Sequence, residues 1–351
     1  RDIIIFYQRK LKSQKGLISI CEFEQKTIEV TIGDKIKKKI VGPRVVPKSS
    51  PVFQEYKIWQ VLNNLSFTPK KEITPGLLNQ EYHEEILSLE SKNILFEELN
   101  LRGNLKASSV FKLLKLNTKD WKCNFEAIEG NNTNQAIYNI LQVISEEEGH
   151  GFDWNKKDAH TIKDELKATL PELGIHSNIL DFDINDDNFE QQPSYQLWHL
   201  LYSAEDDSKI NKEDEAIYGK TAVNLKKKLH LKYGIPIKYT SLFANINLQP
   251  DYGSLSAKAI RKITPHLQDG NEYSKACALA GYNHSNSITK EENLKRELKD
   301  KLELLSKNSL RNPVVEKILN QLVNVVNQII DSYGKPDEIR IELARELKKV
   351  S

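Results

Sequence analysis

Apolar residues recur along this chain mostly at helical spacing, with two stretches that alternate instead. Ile28-Glu29-Val30-Thr31-Ile32, then Gly33-Asp34, then Lys35 to Val41 predicts a small β-hairpin. Ser50 as cap and Pro51 at the first turn predict a helix with apolar positions at Phe53, Tyr56, Trp59 or Val61, Leu62 and Leu65. Its aromatic stripe belongs to a core. From Thr74 to Ser145 the period predicts helices over Leu77–Leu89, Leu95–Leu101, Ala107–Leu116 and Asn134–Ile144, with a polar loop from Asn124 to Asn132. In Lys106 to Leu116 the lysines can line one face. The run Lys226 to Tyr233 predicts a helix closed at Gly234, and Ser254 or Ser256 caps the next one, through Ile263. Asn312 and Pro313 open a long helix with Val314, Val315, Ile318, Leu319, Leu322, Val325, Val326, Ile329 and Ile330 on its apolar positions. After Gly334 and Pro336, Ile339, Ile341 and Leu343 alternate with Arg340, Glu342 and Ala344, which predicts a strand turning into a helix at Ala344. The expected fold class is mainly α, with a small β-hairpin and a terminal strand–helix piece.

Composition adds a charge pattern that the net value hides. The 351 residues are 39% hydrophobic and 28% charged, with a net charge of +2. Yet residues 1–50 hold 12 basic and 5 acidic side chains, residues 144–217 hold 6 and 19, and residues 218–264 hold 9 and 1. Two basic blocks flanking an acidic one suggest a polyanion-binding surface with a solvated or repulsive module between its halves. No apolar run approaches the ~20 residues needed to span a bilayer, and no signal-peptide pattern is visible. Cys21, Cys123 and Cys277 show no metal or redox spacing, which fits packing residues in a reducing cytoplasm. The start at Arg1 and the absence of methionine suggest a chain that is not a whole gene product.

The candidate chemistry lies in three places. Near the start, Arg9, Lys10, Lys12 and Lys15 can reach phosphates, Gln8, Ser13 and Gln14 can bond to sugar or backbone, and Tyr7 offers a stacking face. Lys258, Arg261 and Lys262 sit three and four apart, where a duplex backbone could lie. Glu342 is a carboxylate on the polar face at the end of a short strand, a position that suits a magnesium ligand, although by itself such an acid reads first as a surface charge facing Arg340 or Lys348. The Asp181-to-Asn188 stretch lacks the glycine of a calcium loop, and the eight histidines form no ligand pattern.

Several motifs resemble the type II CRISPR-associated RNA-guided DNA endonucleases, in their compact II-C branch. Tyr333-Gly334-Lys335-Pro336-Asp337-Glu338-Ile339-Arg340-Ile341-Glu342-Leu343-Ala344-Arg345-Glu346 resembles their second RuvC motif, one long helix after Arg311-Asn312-Pro313-Val314-Val315. Phe6 to Gly16 followed by Cys21-Glu22-Phe23-Glu24, Pro47-Lys48-Ser49-Ser50-Pro51, and Tyr252 to Cys277 are similar to recognition-lobe stretches. The resemblance implies a helical recognition lobe over residues 1–310 and part of an RNase H-like RuvC domain over 311–351. It implies that Glu342 is a catalytic metal ligand for Mg2+ or Mn2+ in the complete enzyme, cutting the displaced DNA strand. It further implies contacts to guide RNA (crRNA–tracrRNA) and target DNA through Tyr7, Gln8, Arg9, Lys10, Lys12, Ser13, Gln14, Lys15, Lys48, Lys258, Arg261 and Lys262, with anti-CRISPR proteins as a further partner class, in a bacterial cytoplasm. One glutamate cannot hold two ions, so the chain by itself is expected to be inactive and metal-free. A non-catalytic nucleic-acid-binding scaffold and a mobile-element RNase H-like nuclease are the rival readings.

Overall fold

A computed structural model describes residues 18–32, 35–70, 87–150, 153–203, 221–284, 300–305 and 313–336. The chain divides into two compact units, Arg1–Ser285 and Asn286–Ser351.

The first unit opens with strands β1 (Lys26–Ile32) and β2 (Lys35–Val41), paired antiparallel with Ile32 opposite Lys35. Helix α1 (Pro51–Asn63) follows, with Ser50 Oγ accepting the Phe53 N–H at 3.2 Å. That bond satisfies one of the donors a helix leaves open at its start. Tyr56, Trp59 and Leu62 are buried on it. Among the described residues of the unit, helices α2 (Leu89–Arg102), α3 (Ala107–Leu113), α4 (Asn132–Glu147), α5 (Ala159–Glu172), α6 (Pro193–Ser203), α7 (Thr221–Tyr233), α8 (Thr240–Ala244), α9 (Ala257–Gln268) and α10 (Tyr273–Leu279) follow.

These helices enclose two apolar cores. The first gathers Ile58, Leu62, Phe67, Leu95, Leu99, Val110, Ile260, Ile263, Leu267 and Cys277. The second gathers Leu141, Ile144, Ile162, Leu166, Leu197, Leu201, Leu229, Tyr233 and Phe243. Helix α2 serves both, since Leu95 and Leu99 enter the first and Leu101 the second. A polar seam ties the cores together. Trp198 Nε1 donates to Ser49 Oγ at 3.1 Å, and Thr133 Oγ1 donates to the Ser49 carbonyl at 2.7 Å. Gln54 donates to the Lys48 carbonyl at 2.6 Å and accepts from the Asn132 N–H at 2.9 Å. Buried polar groups are tolerated when each finds such a partner.

Two short antiparallel pairs were not foreseen: β3 (Phe67–Pro69) with β5 (Trp121–Cys123), and β4 (Leu105–Lys106) with β6 (Ala127–Ile128). Pairs of two or three residues are too short to stand alone, so burial of Phe67, Cys123 and Ile128 in the first core holds them. The second pair places a strand inside the stretch expected as a loop from Asn124 to Asn132. Leu89 begins a helix rather than ending one, with Ser88 Oγ accepting the Ser91 N–H at 3.2 Å. Residues 71–86 lie outside the described residues. Helix α3 stops at Leu113, short of the expected Leu116, because Lys115 takes a left-handed φ of 54°. The closure of α7 at Gly234 is as expected: φ is 71°, and a Cβ there would lie 1.7 Å from the Gly174 carbonyl oxygen.

In the second unit, α11 (Pro313–Tyr333) is the long helix read from the sequence. Asn312 and residues 337–351, with the expected strand and Glu342, lie outside the described residues. Val314, Ile318, Val325 and Ile329 on α11 are between 47 and 66% exposed.

Candidate nucleic-acid interface

The basic helix α9 starts at Ser256, whose Oγ accepts the Ala259 N–H at 3.2 Å. Ala259, Ile260, Ile263, Thr264 and Leu267 are buried, a stripe at the helical period that fixes the rotation of the helix. The opposite positions carry Lys258, Arg261 and Lys262. Lys258 and Lys262, one turn apart, converge on Glu24 at 2.6 and 3.2 Å. Tyr282 Oη also donates to Glu24, and its ring stacks on Phe23 at 4.8 Å and lies under the Lys262 ammonium at 5.2 Å. The Glu24 side chain is 9% exposed, whereas those of Lys258 and Lys262 are 61% and 48% exposed. Burial by itself would raise the Glu24 carboxyl, yet hydrogen bonds from Lys258, Tyr282 and Lys262 hold it down at about 2. The cluster therefore carries one net positive charge, with ammonium groups still open to solvent on a well-anchored base. Such an arrangement can receive a phosphate.

Arg261 does not share that row. Its Nε donates to the Ile184 carbonyl at 2.9 Å, and its Nη2 donates to the Asp186 carbonyl at 2.9 Å and to Asp187 Oδ1 at 3.3 Å. The guanidinium also stacks on Phe189 at 4.7 Å. It thus docks the acidic loop 181–188 onto α9, and opposite charges meet inside the unit instead of standing apart. Within that loop, Asp183 and Asp186 accept the Asn185 and Asn188 N–H groups, each at 2.9 Å.

Lys48 sits beside the start of α9 because residues 46–48 zip against 251–255. Val46 N–H donates to the Leu255 carbonyl at 3.0 Å, Lys48 N–H to the Asp251 carbonyl at 3.0 Å, and Gly253 N–H to the Val46 carbonyl at 2.8 Å. The Lys48 ammonium is 3.7 Å from Asp251 Oδ2. Tyr7, Gln8, Arg9, Lys10, Lys12, Ser13, Gln14, Lys15 and Glu342 lie outside the described residues. Sequence reasoning missed Glu24 and Tyr282 as partners of the lysines. Nothing local signals a pairing across more than two hundred residues.

Among the described residues no group of three or more His, Cys, Asp or Glu side chains is placed to hold a metal ion. By its chemistry Glu342, which lies outside the described residues, could fill one ligand position. Cys21, Cys123 and Cys277 are buried free thiols. No helix among the described residues is long and apolar enough to cross a membrane.

No family model matches the chain. A stretch of 129 residues is 30% identical to the CRISPR-associated endonuclease Cas9 of Campylobacter jejuni, covering 36% of this chain and 12% of that protein. Among solved structures, Campylobacter jejuni Cas9 in complex with sgRNA and target DNA is 19% identical with a TM-score of 0.40, over 94% of this chain and 31% of that one. Streptococcus thermophilus Cas9 in complex with the AGAA PAM is 18% identical with a TM-score of 0.38, over 96% of this chain and 24% of that one. The chain thus spans about a third or less of these relatives' length. On the strength of the sequence match, the chain is similar to a part of Cas9, the CRISPR-associated endonuclease.

Proposed function

We propose that this chain is part of a CRISPR RNA-guided DNA endonuclease, in which it binds guide RNA and the RNA–DNA heteroduplex. The observation that carries the reading is the 30% identity over 129 residues to Campylobacter jejuni Cas9. In RNA-guided nucleases sequence is read by base pairing, and the protein holds the heteroduplex through its backbone in a positively charged channel. Lys258 and Lys262, anchored by Glu24 and exposed at their tips, are suited to that task. Lys48 and the basic residues from Arg9 to Lys15 would extend the contact, with Tyr7, Gln8, Ser13 and Gln14 beside them. Arg261 acts in this reading as the clamp on the acidic loop.

Glu342 would contribute one carboxylate to the site that cuts the displaced strand, its remaining ligands coming from elsewhere in the complete enzyme. A bound Mg2+ or Mn2+ supplies charge stabilisation and an activated water in such a site. The cellular setting of the reading is a bacterial cytoplasm, with target DNA as second partner and anti-CRISPR proteins as inhibitors.

The test is equilibrium binding of guide RNA and of an RNA–DNA hybrid across a salt series. The lysines are removed in an E24Q background, so that no bare carboxylate is left to repel the strand. E24Q alone should tighten binding, because both ammonium groups gain freedom to meet phosphate. Adding K258Q and K262Q should weaken it and lower the log–log salt slope by about 1.4–1.8 for two lost phosphate contacts. An unchanged slope would remove α9 from the interface.

A further inference from the structure

A second basic surface lies on the other core, away from the row on α9. Helices α6 and α7 border a groove of about 690 Å³ whose lining includes Tyr195, His199, Ser203, Lys228, Lys232 and Tyr233. That size falls within the range of small-molecule and cofactor sites. The helical repeat explains the lining. Tyr195, His199 and Ser203 recur every fourth residue on α6, as do Lys228 and Lys232 on α7, so each series forms a ladder along one wall. Lys232 Nζ donates to Gln196 Oε1 at 2.6 Å, which ties the two walls with a neutral partner and leaves the ammonium charge uncompensated by that bond.

Two observations give the groove a chemical sense. The α6 wall comes from the stretch 144–217, with its 19 acidic residues, yet Glu190 is the single acid among the described lining residues. Tyr233 is 1% exposed, and its hydroxyl has no hydrogen-bond partner among the described residues. A buried hydroxyl left unpaired is costly, and an acceptor delivered by a ligand would satisfy it.

We propose that the groove between α6 and α7 binds the phosphate of a nucleotide, carried by an RNA strand or free in solution, with Lys228 and Lys232 as its cationic contacts and Tyr233 as a hydroxyl donor. Lysine binds phosphate as a compact point charge with three donors, and two of them one turn apart converge on one group or straddle neighbouring ones. His199 and Ser203 supply further polar contacts across the groove, and the half-buried Tyr195 ring offers a flat wall to a base. The site is separate from α9 and does not depend on Glu24, Lys258 or Lys262.

The experiment cross-links a short oligoribonucleotide carrying 4-thiouridine to the full chain, maps the modified peptides, and measures affinity by anisotropy in the E24Q/K258Q/K262Q background. Cross-links should fall within residues 195–203 and 225–233. K228Q/K232Q should weaken binding by about tenfold or more, as expected for lost charged hydrogen bonds. K226Q/K227Q, the same charge change on the same helix, should weaken it much less. Y233F should weaken the ligand but raise the melting temperature of the free protein, which a merely structural tyrosine would not do. Displacement by uridine monophosphate identifies a free nucleotide as the ligand, and resistance to it identifies the strand. Equal effects of the two lysine pairs, cross-links elsewhere, or displacement by inorganic phosphate as readily as by the nucleotide would overturn the proposal; the last would show an adventitious ion only.

Discussion

Asn327 offers both groups of its side-chain amide to the backbone of Leu302: Oδ1 accepts the Leu302 N–H at 2.9 Å and Nδ2 donates to the Leu302 carbonyl at 2.9 Å. Asn320 does the same for Leu305, at 2.7 and 3.2 Å. The spacing follows from geometry. Seven residues of helix rise about 10.5 Å, and three residues of extended chain cover about 10 Å. Two asparagines a heptad apart on α11 therefore match peptides three apart on an antiparallel segment. Lys301 adds an ion pair to Asp331 at 2.6 Å.

The clamp makes a local prediction. N327A should speed amide exchange at Leu302 more than at Leu305, and N320A should reverse that order. Each should cost the second unit about 1–2 kcal/mol, the net worth of two partly exposed hydrogen bonds. Exchange at Leu302 that is unaffected by N327A would show that the segment is held by other contacts.

Acid and base should act on this protein through two glutamates of opposite sign. The Glu24 carboxyl is held at about 2, against an ordinary value of 4.5, so its contribution is present above pH 4.5 and is lost as pH falls towards 2. E24Q should be less stable than the parent by about 1–3 kcal/mol at neutral pH, and the two should converge near pH 2. Glu55 is fully buried; burial pushes its carboxyl up to about 8, while Lys163 opposes the rise and Asp183 and Glu97 add to it. There the folded chain holds a proton that the unfolded chain has released, so stability falls as pH rises from 4.5 to 8. E55Q should match the parent below pH 4.5 and exceed it by on the order of a few kcal/mol at pH 8. Denaturant midpoints across pH check both. A parent and E55Q with parallel pH profiles would mean that Glu55 is ionised in the fold.

The parts of the fold written in short-range signals were legible in the sequence. Ser50 with Pro51, Ser256, Gly234 and the alternation of β1 and β2 each act through neighbours within a few residues, and the structure has all four. The start of α2 was hidden because its first turns, before Leu95, bury no side chain and so carry no apolar period, and the buried side further on includes Glu98 and Asn100. Those side chains are satisfied from afar: Glu98 accepts the Ala159 N–H at 2.7 Å, and Asn100 accepts from Asn131 at 2.7 Å. The lysine row on α9 could be counted in the sequence, but not the turning of Arg261 towards the acidic loop, because that depends on which strip of the helix the core claims. Glu24 and the α6–α7 groove were invisible for the same reason, since tertiary packing alone brings their members together.

The most direct test of the central claim is strand-specific cleavage by the complete enzyme that carries this chain, loaded with guide RNA and given target DNA and magnesium. A glutamine keeps the shape of a metal-binding glutamate but not its charge, so E342Q should abolish cleavage of the displaced strand by orders of magnitude. Guide loading, target binding and cleavage of the guide-paired strand should remain at parental levels, leaving a nickase. If E342Q cuts both strands at parental rates, Glu342 is a surface acid, and the nuclease role assigned to this part of the chain is contradicted.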